Sequence, residues 1–70
     1  MAVINTLELE GVSTKSWGDA AREALKEAAK TIRNIQKMDV LGTNAAVNQD
    51  EITEYRTEVR IFFEVETGRG

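Results

Sequence analysis

The chain has 70 residues, no Cys, no His and a formal net charge of −3. Disulfides, thiolate or imidazole metal sites and His-based catalysis are therefore excluded, and the mild mixed charge leaves no basic footprint for nucleic acid or a membrane surface. A single domain this short sits near the lower limit for folding alone, so oligomerisation is the remedy the composition leaves. Oxygen-ligated calcium or magnesium stays open. No positively charged leader followed by an apolar run is present, and no apolar stretch approaches a membrane span. The expectation is one soluble, cytoplasmic domain over residues 1–70, with a loose tail at 66–70.

Residues 3–10 read as a first strand, with Val3, Asn5, Leu7 and Leu9 on one face and Ile4, Thr6, Glu8 and Glu10 on the other. Gly11 to Lys15 reads as a turn. Ser16 then suits a helix N-cap, with Asp19 three residues on near the positive end of the helix dipole. The helix is expected from Trp17 to about Asn34. Its apolar stripe is Trp17, Ala20, Ala21, Ala24, Leu25, Ala28, Ile32 and Ile35. The many alanines let a sheet approach closely.

A second strand is expected over Lys37–Val47, with Met38 and Val40 inward and a bulge or bend at Gly42 and Asn44. Asn48 to Glu51 is a polar turn. The run from Ile52 to Val65 then alternates almost without a break. Thr53, Tyr55, Thr57, Val59, Ile61, Phe63 and Val65 point one way; Glu54, Arg56, Glu58, Arg60, Phe62 and Glu64 point the other. At ~3.3 Å per residue this strand reaches roughly 45 Å, more than one helix can cover. The fold class is α+β, in the order β-α-β-β. The long strand is the centre of a three-stranded antiparallel sheet, ordered first-third-second and wrapped around the helix.

Catalytic chemistry has little to stand on, because the carboxylates alternate with basic residues on strand faces. The glycines are isolated and form no phosphate-binding loop. Trp17 reads first as a plug between helix and sheet and second as a ligand-stacking platform. The outward stripe Glu54, Glu58, Arg60 and Phe62 reads first as a subunit interface, since a solvated face has no need of Phe62, and second as a simple exposed face, since single exposed apolar residues are common. Glu8 with Glu10, Asp50 with Glu51, and Glu64 with Glu66 are acidic neighbours without the spacing of a twelve-residue calcium loop.

The β-α-β-β order and the Gly11-Val12-Ser13-Thr14-Lys15-Ser16-Trp17 entry to an Ala-rich helix resemble the dodecins. So do the Arg33-Asn34-Ile35 exit and the strand from Tyr55 to Glu64. The resemblance covers about Val3 to Val65. It implies a sheet wrapped on its helix and twelve copies in a hollow shell. In flavin-binding dodecins, a Trp after the helix stacks on the isoalloxazine ring and a Gln on the last strand bonds its polar edge. Here those positions are Lys37 and Arg56. The resemblance thus points to the non-flavin branch, some of whose members bind calcium, and places the ligand pocket at Lys37 and Arg56. An anion held by those two cations is a further option. The expected function is a homo-dodecameric shell that binds or stores a small ligand or ion, calcium ahead of flavin, without enzymatic activity. The alternatives are a flavin-storage dodecin and a purely structural assembly.

Overall fold

The computed structural model describes residues 2–66. The elements are β1 (Ala2–Ser13), α1 (Trp17–Ala29), β2 (Ile35–Asn48) and β3 (Glu51–Glu66). The sheet order is β1-β3-β2, with β3 antiparallel to both neighbours. This is the architecture the alternation predicted, with Thr57, Val59 and Ile61 turned inward as expected. Thr57, Val59 and Ile61 are the largest fully buried side chains, and all lie on the helix side.

α1 seats on that face through its alanines. Ala20, Ala24 and Ala28 are buried against Val59 and Ile61. Gly11, opposite Thr57 on β1, lets the helix backbone come close; a Cβ there would overlap the Ala20 carbonyl. The N-terminus is capped as expected, with the Ser16 hydroxyl accepting from the Asp19 N–H at 2.9 Å. Asp19 makes no reciprocal capping bond; its carboxylate accepts from the Ser13 hydroxyl at 2.7 Å. Ser13 in turn accepts from the Lys15 N–H at 2.9 Å. Ser13 therefore ties the end of β1 to the first helical turn through Asp19 and to the connecting segment through Lys15.

Three expectations need correction. Gly11–Ser13 belong to β1, not to the turn, because the strand continues opposite Thr57, Arg56 and Tyr55. The helix stops at Ala29 rather than near Asn34. Lys30 and Thr31 bond three residues back, to Glu27 and Ala28, which tightens and ends the last turn. β-Branched Thr31 and Ile32 favour helix weakly, and Asn34 takes a left-handed φ of 62°. Ile32 and Ile35 still pack on the core from the connecting segment, so the apolar stripe is satisfied without helix. Val40 lies opposite Val59 on the inner face but is 57% exposed, because α1 covers β1 and β3 and barely reaches β2.

β2 and β3 meet in a two-residue hairpin turn at Gln49 and Asp50, both with positive φ (52° and 66°). That is the primed turn matched to strand twist. The register breaks between Val40 and Gly42, where a bulge was expected, and also at Ile35/Lys37 and Ala46/Val47. The tail expected at 66–70 lies outside the described residues, apart from Glu66, which ends β3.

The strands outrun the helix. α1, with 13 residues, is about 20 Å long, and β3, with 16, spans roughly 50 Å. The molecule measures 58 × 19 × 13 Å, and its radius of gyration is 14.8 Å. A compact domain of this length would have about 11 Å. Among the described residues no helix is long and apolar enough to cross a membrane.

Candidate functional site

The outer face of the sheet, away from α1, carries the charged stripe. Period-2 alternation on β3 sets Glu54, Arg56, Glu58, Arg60, Phe62 and Glu64 there, and the register supplies their neighbours. Arg60 stands between Glu8 and Asp39. Its Nε and one terminal nitrogen both donate to Glu8 Oε2, at 3.0 and 2.8 Å. Arg56 stands between Val12 and Asn44 and donates to Glu54 Oε1 at 2.9 Å. That hydrogen bond, then the charge of Glu54, raises the Arg56 guanidinium above its already high ordinary value, so it remains a cation. Arg56 Nε is buried and has no hydrogen-bond partner among the described residues.

Glu58 faces Glu10 across the β1–β3 ladder. Like charges in that position are unfavourable, and neither has an ion-pair partner among the described residues. The Asn44 amide donates to Glu10 Oε2 at 3.3 Å. Glu8, Glu10 and Glu58, with Leu41, line a shallow open hollow of about 260 Å³. No group of three acidic side chains among the described residues is arranged to hold a metal ion.

Phe62 lies between Thr6 and Lys37, and the Lys37 ammonium sits 4.4 Å from its ring centroid. Lys37 also approaches Asp39 at 4.0 Å, and Gln36 donates to Glu64 Oε1 at 2.9 Å. The stripe Glu54, Glu58, Arg60 and Phe62 is thus one continuous outward face. Lys37 and Arg56 are on it, yet the chain does not bring them together. Lys37 pairs with Phe62, six residues from Arg56 along β3, or roughly 20 Å. A pocket holding both has to take them from different copies.

Trp17 is on the other side of the sheet. Its indole N–H donates to the Asn44 carbonyl at 2.8 Å, and its ring meets Tyr55 edge-on with centroids 4.8 Å apart. The buried Thr57 hydroxyl donates to the Trp17 carbonyl at 2.9 Å. These contacts pin the helix start to β2 and β3, the plug reading, although 41% of Trp17 remains exposed. The Asn44 contacts were not foreseen from sequence, since nothing in Asn44 itself marks its carbonyl as a partner for Trp17.

No curated protein matches the sequence. Solved structures do. The dodecin from Streptomyces coelicolor superposes with a TM-score of 0.90 over 96% of each chain at 18% identity, a likeness of fold. A Thermus thermophilus protein is 25% identical with a TM-score of 0.90, covering 97% of this chain and 100% of its own. A structure described as a calcium-chelating antigen, the calcium dodecin of Mycobacterium tuberculosis, is 25% identical with a TM-score of 0.82 over 97% of each chain. The dodecin family model matches residues 3–66. With that match spanning nearly the whole chain, and with the β1-β3-β2 sheet folded on one Ala-lined helix, this protein belongs to the dodecin family.

Proposed function

We propose that the protein is the subunit of a hollow twelve-copy shell that binds or stores a small ligand or ion and carries out no catalysis of its own. The observation that supports it is the imbalance of the single chain. Among the described residues five apolar ones are buried, three of them alanines, while ten large apolar side chains are exposed. A lone copy leaves both ends of its sheet uncovered, and burial against other copies is the natural completion. The outward stripe through Glu54, Glu58, Arg60 and Phe62 suits such a contact, with an aromatic set among ion pairs.

The residues present do not fit a stacked flavin. Where an indole would lie there is an ammonium already seated on Phe62, and Arg56 is engaged by Glu54. Calcium is the ion this reading takes, and the observation favouring it is the unpaired Glu10 and Glu58 facing each other in the acidic hollow. A single copy supplies too few ligands for the usual six to eight oxygens, so the coordination is completed by carboxylates of other copies.

Native mass spectrometry tests the assembly: a twelve-fold mass is expected, and a monomer or dimer would refute it. Thermal melting with and without chelator tests the ion, because a ligand bound only by the native state stabilises it. Chelation is expected to lower the melting temperature. An unchanged temperature with an intact assembly would leave a purely structural shell.

A further inference from the structure

Glu10 and Glu58 face each other between two arginines of the outward stripe, Arg56 and Arg60, each two residues from Glu58 along β3. The two arginines are held differently. Arg60 places both Nε and a terminal nitrogen on Glu8 Oε2, at 3.0 and 2.8 Å. Arg56 holds Glu54 through one terminal nitrogen, at 2.9 Å, and its buried Nε has no partner among the described residues. A buried donor left without an acceptor opposes that position, so Arg56 is the less firmly held of the two. Residues two apart on one strand share a face and lie about 7 Å apart, within the sweep of an arginine side chain. Glu54 and Glu58 stand two residues from Arg56, one on either side, so the guanidinium has equal reach to both. Glu10 lies diagonally across the β1–β3 ladder from Arg56. Its charge acts on the guanidinium, behind that of Glu54.

Little else closes the acidic pair. On the β2 side Glu58 faces Gly42, where a Cβ would meet Glu58 Oε1 alone, at 3.9 Å. The Asn44 amide reaches Glu10 at 3.3 Å, a long contact from a neutral donor. Arg60 is committed to Glu8. Arg56 is therefore the cation of the same chain best placed to cover Glu10 and Glu58.

We propose that Arg56 is an internal competitor for the ion site and that Glu54 is the latch holding it off. While Glu54 is charged, the guanidinium stays parked on it and the Glu10–Glu58 pair is open to a cation. With Glu54 neutralised, Arg56 swings onto the pair, relieves its repulsion as a bound cation does, and closes the site. The proposal rests on the ion-binding reading above and adds its regulation: Glu54 touches no ion, yet its charge sets the affinity.

Calcium titrated calorimetrically into the assembled protein tests this. Glu54→Gln is expected to weaken binding about fivefold, the most that a partly exposed ion pair is worth. In an Arg56→Gln background the same change is expected to weaken it by less than about twofold, because no guanidinium is left to move. Equal weakening in both backgrounds would mean that Glu54 acts through its own charge; that would overturn the latch and leave the ion site standing. Melting in chelator reads the movement without any ion. Glu58→Gln is expected to raise the melting temperature of the otherwise unaltered protein, by relieving the like-charge pair. In a Glu54→Gln background it is expected to lower it, by stripping Arg56 of its new partner. The same sign in both would refute the movement. A protein that shows the reversal but binds no calcium would keep the latch and lose the ion. If Glu54→Gln does not assemble, Glu54→Asp, whose shorter side chain gives up the 2.9 Å contact, takes its place in both comparisons.

Discussion

Replacing Gly11 with alanine tests the helix seat directly, because it crowds the helix backbone without removing any side-chain hydrogen bond. A Cβ built on Gly11 would overlap the Ala20 carbonyl oxygen, lie 2.8 Å from its carbon and 3.1 Å from Ala24 Cβ. Carbon atoms rest about 3.5–4.0 Å apart, so the helix backbone has to retreat by roughly 1 Å. A gap of that size forfeits up to about half the dispersion well at each contact it opens, and the contacts at stake are those of Ala20, Ala24 and Ala28 over Val59 and Ile61. Overpacking costs ~1–3 kcal/mol where side chains can adjust. Here the obstacle is backbone, which puts the cost near ~3 kcal/mol, a large part of the total stability of a small domain. At about 4–8 °C per kcal/mol, the melting temperature falls by on the order of 12 °C or more. Gly18→Ala is the control. Its Cβ would meet only the Arg22 guanidinium at 3.7 Å and the Ser16 hydroxyl at 3.9 Å, and in a helix the change gains a few tenths to ~1 kcal/mol. Melting followed by circular dichroism at one fixed protein concentration compares them, since assembly makes the midpoint concentration-dependent. If Gly11→Ala melts with Gly18→Ala, the close helix seat is not what holds α1 on the sheet.

Ser16→Ala removes the acceptor for the Asp19 N–H and is expected to cost ~1 kcal/mol of stability in denaturant titration; no shift in midpoint would mean water replaces the cap. Phe62→Glu puts a charge at the apolar point of the outward stripe, beside Glu64 and opposite Thr6, and light scattering is expected to show smaller species. Survival of the full assembly would take Phe62 out of the interface. Lys37→Trp combined with Arg56→Gln restores the aromatic and amide that the flavin-binding pattern uses. Stronger quenching of added flavin fluorescence is expected, and unchanged quenching would reject the placement of the pocket at these positions.

The sheet was legible because period-2 alternation is simple. Once Val59 and Ile61 are taken as inward, β3 from Glu54 to Phe62 follows, up to the bulge at Thr53, and the Asn48–Glu51 turn leaves β2 one place to go. Ser16 was legible for the same kind of reason, as a capping residue just before a 3.6-residue stripe. The helix end was not. Ile32 and Ile35 continue the stripe and do reach the core, but they reach it from irregular backbone, which periodicity cannot tell from another turn of helix. Val40 misled because its face was right and its cover was missing: one helix is wide enough for two strands, and α1 lies over β1 and β3. The site was the least legible part. Lys37 and Arg56 are named by resemblance, yet their separation depends on pairing Lys37 with Phe62. The two bulges nearer the hairpin, at Ala46/Val47 on β3 and at Val40/Gly42 on β2, add one residue to opposite strands and cancel, so the turn alone sets that pairing; what a resemblance between single residues does not carry is the distance the pairing puts between them.

That separation ties ligand to assembly. Lys37 and Arg56 are roughly 20 Å apart on one copy, and Glu10 and Glu58 offer too few oxygens for a calcium ion on their own. On the proposed reading one copy presents only part of the ligand site, so binding and subunit association would be linked. The linkage has a size. A ligand that requires the assembled state stabilises it by about 2.7 kcal/mol at one hundred times its dissociation constant, a substantial increment for chains whose buried apolar residues, among those described, are Val59, Ile61 and three alanines. Dilution is therefore a sensitive way to find the ligand: the species that binds at the junctions shifts dissociation to lower protein concentration, whereas one that binds a single copy leaves the dissociation concentration where it was.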